Sequence, residues 1–158
     1  MNSAAEFGCD TPNVLVVCLG NPLRSDDGLG WHAAEELTSR LHSPAVKIVT
    51  RFQLTPDLAE PVHSAECVLF VDAGREGRPG ELTFSPLVPR AEATSSHHLS
   101  PAALLQLTSQ LYGSVPSAFL ASICGECFDF GEHLSQKVAA ELPRLITRVI
   151  QLAERIAN

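Results

Sequence analysis

No apolar run in this chain approaches the roughly 20 residues that cross a bilayer. The longest, Val14 to Leu19, has the length of a buried strand. Lysine and arginine form no cluster, and the 158 residues carry a net charge of −7. The basic footprint that displaces counterions from phosphate is missing, so neither nucleic acid nor a membrane is expected as a partner. Residues 1–11 hold acidic but no basic side chains and no apolar segment, unlike a secretion signal. Residues 1–12 are therefore expected to form a frayed leader ahead of a single domain, 13–158. Repeats, low-complexity tracts and linkers are absent, as are the G-x-S-x-G and phosphate-loop patterns. What is present suffices for a packed core: 45% of residues are apolar and only 18% are charged. Five cysteines, at 9, 18, 67, 124 and 127, make an odd set with two inside apolar runs, which fits reduced thiols in the cytoplasm.

Strand and helix patterns alternate. Asn13 to Leu19, apolar from Val14 on, and Cys67 to Val71 are runs rich in β-branched residues, of the kind covered on both faces of a sheet. Val46 to Thr50 and Ser117 to Cys124 complete the expected parallel strands, and the alternating Gly80 to Ser85 is expected at an edge. Trp31, Ala34, Leu37 and Leu41 recur at helical spacing. Thr55-Pro56 and Ser100-Pro101 each pair a cap residue with a first-turn proline. Leu104, Leu105, Leu107 and Leu111 make the helix after Ser100 apolar, and Ser135 is expected to cap a long helix that reaches Ile156 past Pro143. The pattern predicts an α/β fold: a three-layer α/β/α sandwich around a twisted, mixed but mostly parallel sheet of about five strands.

In open α/β sheets the working site lies beyond the carboxyl ends of the strands. The Gly20 to Gly30 loop and Asp72-Ala-Gly74 follow such ends, and His97-His98 is delivered by the long irregular segment from Pro86 to Ser96. Asp26 and Asp27 are adjacent, and adjacent turn residues point apart. Asp26 is read as the cap of the following helix, favoured by its positive end, and Asp27 as the acid facing the cleft. Asp72 ends an otherwise apolar strand, where an unpaired carboxylate is costly. It either bonds loop amides or works as a ligand or acid–base group. A histidine is usually structural; two together beside a site make one a candidate ligand. Two carboxylates and an imidazole form a mixed oxygen–nitrogen set that suits nickel or zinc better than copper(I) or magnesium. Cys124-Gly-Glu-Cys127 has the spacing of a redox dithiol, but neither a helix signal nor a second C-x-x-C follows it.

The segment Leu19-Gly-Asn-Pro-Leu-Arg-Ser-Asp-Asp-Gly-Leu-Gly30 resembles the G-N-x-L-x-x-D-[D/E]-G-x-G signature of the nickel–iron hydrogenase maturation endopeptidases. Val71-Asp72-Ala73, Ser96-His97-His98-Leu99-Ser100 and Phe130-Gly-Glu-His-Leu-Ser135 resemble that family's later blocks in the same order, from about Asn13 to the end. Cys18 departs from the family's usual glycine. The resemblance implies metal contact by Asp27, Asp72 and His97, with His98 on the neighbouring variable position. Asp27 and Asp72 would be the catalytic carboxylates, with Gly20, Asn21, Asp26, Gln53 and His98 around them. It also implies a protease acting on the hydrogenase large-subunit precursor. Its C-terminal extension would be removed after nickel insertion, with the nickel supplied by the substrate and no cofactor held tightly by the enzyme, which would act as a cytoplasmic monomer. Arg51-Phe-Gln-Leu-Thr-Pro-Asp-Leu58 resembles a stretch of the branch that serves bidirectional, NAD-linked hydrogenases, with Phe52 where that branch has histidine. Two other functions fit parts of the pattern: a nickel-sensing chaperone that binds without cutting, and a dithiol oxidoreductase using Cys124 and Cys127.

Overall fold

The protein is described by a computed structural model that covers residues 12–92 and 98–158. The central sheet has five strands in the order β2-β1-β3-β5-β4. They are β1 (Val14–Leu19), β2 (Val46–Arg51), β3 (Cys67–Gly74), β4 (Leu82–Leu87) and β5 (Ser117–Cys124). The β1–β2, β1–β3 and β3–β5 pairs are parallel, and β4 runs antiparallel to β5 at the edge. Four helices cover the sheet: α1 (Leu29–Arg40), α2 (Ala59–Ser64), α3 (Pro101–Tyr112) and α4 (Gln136–Ala157). Short 3-10 turns, Ser25–Gly28 and Pro56–Leu58, lead into α1 and α2.

The period of two in β1 builds the three layers. Val14, Val16 and Cys18 face one side and join Leu69, Val71 and Ile123 under α1 and α4. Leu15, Val17 and Leu19 face the other and join Val68, Phe70, Leu58, Val62 and Leu104 under α2 and α3. All six residues of β1 are buried, as expected of a strand covered on both faces. The fold was expected in outline, and its details differ in three places. The edge strand is shifted two residues along, to Leu82–Leu87, and it includes Pro86, whose missing N–H is tolerated at an edge. In α3, Leu104 and Leu105 are buried while Leu111 is 60% exposed, so its apolar face is narrower than the leucine count suggested. Thr55 occupies a cap position, but its hydroxyl bonds the Asp57 carboxylate rather than a backbone amide. Ser100, by contrast, caps α3 as expected, accepting from the Ala103 N–H at 3.1 Å.

The chain leaves β1 for β2 on one side and then crosses back to β3 on the other. β1 and β3 thus flank the point where the winding reverses, which is where such sheets open a crevice.

Candidate active site

Asp27 follows β1 and Asp72 lies in the last part of β3, so the reversal point carries one carboxylate from each flanking strand. Both line a cleft of about 390 Å³, together with Gly20, Gln53, Arg75, His98 and Ser100. The turn that presents Asp27 is tightly specified. Gly20 has φ +127°, and a Cβ there would sit 1.8 Å from the Asp27 carbonyl oxygen. Asn21 N–H donates to Asp27 Oδ2 at 3.0 Å, which fixes one carboxylate oxygen. The other, Oδ1, lies 3.8 Å from Arg75 Nη2. Trp31 Nε1–H closes the turn from the α1 side by donating to the Gly20 carbonyl at 2.7 Å. At Gly30 a Cβ would come within 2.5 Å of the Leu19 backbone, so the start of α1 rests directly on the end of β1.

Burial, joined by the negative charge of Asp27, pushes the Asp72 carboxyl up to about 6. A backbone hydrogen bond at Ala73 and the Arg75 charge act in the opposite direction. A carboxylate that titrates near neutrality beside a second carboxylate is suited to take a proton from water. It also makes the pair a strong attractor for a divalent cation.

Asp26 does not cap α1. The cap position is Gly28, without a side-chain bond, and Asp26 points away from the cleft into the loop between β5 and α4. Its Oδ2 accepts from the N–H groups of Glu126 at 2.8 Å and Cys127 at 3.0 Å and from Ser135 Oγ at 2.8 Å, and its Oδ1 accepts from Ser135 N–H at 2.7 Å. Burial alone would raise its pKa, but these bonds outweigh it and hold the carboxyl below its ordinary value. The Ser135 hydroxyl is accordingly turned to Asp26 instead of capping α4. Asp27 and Asp26 do point apart, as the turn geometry suggested, but the tie at Asp26 is to a segment a hundred residues away. Ser25 completes the stitch, with φ 52°, its N–H on the Gly131 carbonyl and its Oγ on the Asp129 carbonyl, both at 2.8 Å.

Gly20, Gln53 and His98 line the cleft, and Asn21 stands beside it with its N–H on Asp27. His97 lies outside the described residues. Two residues were missed by motif reasoning: Arg75, and Phe128, whose ring centroid is 4.0 Å from the Arg75 guanidinium carbon. Arg75 had a usable signal, being three residues past Asp72 on the loop leaving β3. Cys18, Cys67, Cys124 and Cys127 are free thiols; burial raises Cys18 to about 12 and Cys67 to about 11. Cys124 is buried, and Cys127 Sγ lies 3.7 Å from Asp129 Oδ2.

Two curated relatives match nearly the whole chain. A hydrogenase expression/formation protein of Azotobacter chroococcum mcd 1, HupM, is 32% identical over 157 residues, covering 92% of this chain and 74% of that protein. The corresponding protein HoxM of Azotobacter vinelandii is 32% identical over 156 residues, with 91% and 74% covered. The chain belongs to the nickel–iron hydrogenase maturation endopeptidases. The fold agrees: the hydrogenase maturating endopeptidase HybD of E. coli superposes with a TM-score of 0.78 at 20% identity, covering 90% of this chain and 93% of that one. No protein-family model matches the chain. Asp27 of the first sequence block and Asp72 of the second line the same cleft.

Proposed function

We propose that this member of the family removes the C-terminal extension of a nickel-loaded hydrogenase large-subunit precursor, using Asp72 as general base and Asp27 as the metal-facing partner. One observation carries the assignment of roles: Asp72 is the half-buried carboxylate that desolvation, with the Asp27 charge added, raises to about 6, while one oxygen of Asp27 is already committed to Asn21 N–H. Two adjacent carboxylates repel until a cation lies between them, and a substrate-borne nickel ion would relieve that repulsion. His97 would supply the third contact, as the sequence blocks imply, and no metal need be kept by the enzyme between turnovers. The nickel would bring the scissile bond into register, and positioning of this kind is worth several kcal/mol of a barrier. Asp72 would then accept a proton from the attacking water, which makes the enzyme an aspartic-type endopeptidase.

A protein substrate also fits the rim. Phe52, 63% exposed, lies on the cleft wall and its ring is 5.4 Å from that of Trp31. Leu23 and Trp31 line a neighbouring groove, and exposed apolar side chains grouped in this way favour a protein partner. Phe52, Gln53 and Leu54 of the bidirectional-branch stretch line the cleft, which supports a hydrogenase of that branch as the source of the substrate. The four free thiols among the described residues fit a reducing, cytoplasmic setting, and no helix among those residues is long and apolar enough to cross a membrane. The enzyme would act as a monomer.

The test is cleavage of nickel-loaded precursor, read as shortening of the large subunit. Asp72→Asn is expected to lose on the order of 100- to 10,000-fold in rate, the usual contribution of a general base. Asp27→Asn and His97→Ala are expected to lose recognition of the nickel-loaded over the nickel-free precursor. Undiminished cleavage by all three variants would sink the proposal. A wild-type chain that binds the precursor without shortening it would mark a nickel-sensing chaperone instead.

A further inference from the structure

Arg75 carries the one guanidinium or ammonium group among the described residues that line the cleft. Its geometry is unusual for a surface ion pair. The nearest nitrogen is 3.8 Å from Asp27 Oδ1, too far for a hydrogen bond, and the side chain is 65% exposed. An exposed pair at that distance contributes little and does not hold an arginine in place. The hold comes from the stack on Phe128, 4.0 Å from guanidinium carbon to ring centroid. Phe128 is itself anchored, because its carbonyl accepts from Arg24 Nε at 3.3 Å and the preceding amides are tied to Asp26. The stack covers a face of the guanidinium and leaves the in-plane N–H donors at its edge, none of which makes a hydrogen bond among the described residues. A clamped fork of idle donors beside two carboxylates is arranged for an acceptor oxygen that the protein does not provide.

We propose that Arg75 is a catalytic residue: its N–H edge binds the carbonyl oxygen of the scissile peptide bond and stabilises the oxyanion that forms there. The inference rests on the proposed hydrolysis with Asp72 as base. As water adds, its oxygen bonds to the carbonyl carbon, its proton passes to the Asp72 carboxylate, and the carbonyl π pair moves onto the oxygen facing Arg75. Collapse restores the C=O bond and breaks the C–N bond, and the Asp72 proton leaves on the departing amine. Charge thus develops on one atom facing a cation that the Phe128 stack holds in place, the arrangement by which preorganised donors stabilise an oxyanion.

The experiment measures cleavage of nickel-loaded precursor by the full chain and its Arg75→Ala, Arg75→Lys and Asp72→Asn variants. Arg75 is exposed, so its variants are expected to melt with the wild type. Arg75→Ala is expected to lower kcat on the order of 100-fold, as loss of a single oxyanion donor does, with KM unchanged. Arg75→Lys keeps the charge but not the fork and recovers part of the loss. Free guanidinium ion restores part of the Arg75→Ala rate, and the same concentration of sodium chloride does not. A wild-type rate for Arg75→Ala, or a loss confined to KM, overturns the inference. If that occurs while Asp72→Asn is inactive, the proposed protease mechanism stands and only the role of Arg75 falls. If Asp72→Asn cleaves at the wild-type rate, or the wild type does not cleave, the mechanism falls and Arg75 falls with it.

Discussion

Asp26, Asp27 and Asp72 share one chemistry and occupy three environments. Asp72 illustrates what burial without enough partners does. Its folded value of about 6 lies above the ordinary value near 4, so its contribution to stability is fully present at low pH and is lost as pH rises through about 6. Converting the displacement at about 1.4 kcal/mol per pH unit gives up to about 3 kcal/mol. Asp72→Asn removes this penalty. Melts from pH 4 to 8 should show the two proteins alike near pH 4, and the variant more stable by up to that amount above pH 7. The same ionisation should give wild-type kcat/KM an acid limb near pH 6, since that ratio reports the free enzyme. A stability gained at the cost of activity is the expected signature of a working group in a strained electrostatic setting.

At the scale of elements, the loop between β5 and α4 is held to the entrance of α1 by Asp26. The carboxylate satisfies three backbone N–H groups and one hydroxyl across the two segments. Asp26→Ala leaves those amides without their acceptor, which should cost about 3 kcal/mol, more than an average hydrogen bond because the acceptor is charged. The melting temperature in a thermal scan measures this loss. The folded pKa of Asp26 is lowered, so its contribution has the opposite sign to that of Asp72: it is present at neutral pH and is lost as pH falls below the ordinary carboxylate value. Because the loop also carries Phe128, loosening it should lower cleavage as well as stability, through the loss of the stack on Arg75.

At the scale of the molecule, the cleft is a product of winding direction. The reversal at β1 and β3 sets Asp27 and Asp72 on adjacent strand ends, although 45 residues separate them in sequence. That placement depends on the two cores on either side of the sheet being intact. Phe70, in the central strand β3, is fully buried under α2 and α3. Phe70→Ala should cost about 3–5 kcal/mol. Urea unfolding should show the midpoint falling with an unchanged slope, as expected when stability changes and the exposed surface does not.

Much of this architecture was legible in the residues alone. Wholly apolar, β-branched runs identify strands covered on both faces, because nothing else in a short chain is buried so evenly. Cap-and-proline pairs mark helix starts because their chemistry is local, and at Ser100 the cap bond forms as expected. The first sequence block singled out Asp27 because the turn needs glycines where the backbone approaches too closely for a Cβ, and Asp72 stood out as a carboxylate at the end of an apolar strand. The partners of the side chains were not legible. Whether Asp26 caps its own helix or ties down a loop, whether Ser135 serves α4 or Asp26, and whether Arg75 is surface charge or part of the cleft all depend on which distant segments meet. Local sequence fixes backbone conformation through short-range sterics and hydrogen bonding. The allocation of a hydrogen bond or a charge is settled by competition among groups that only the folded chain brings within reach.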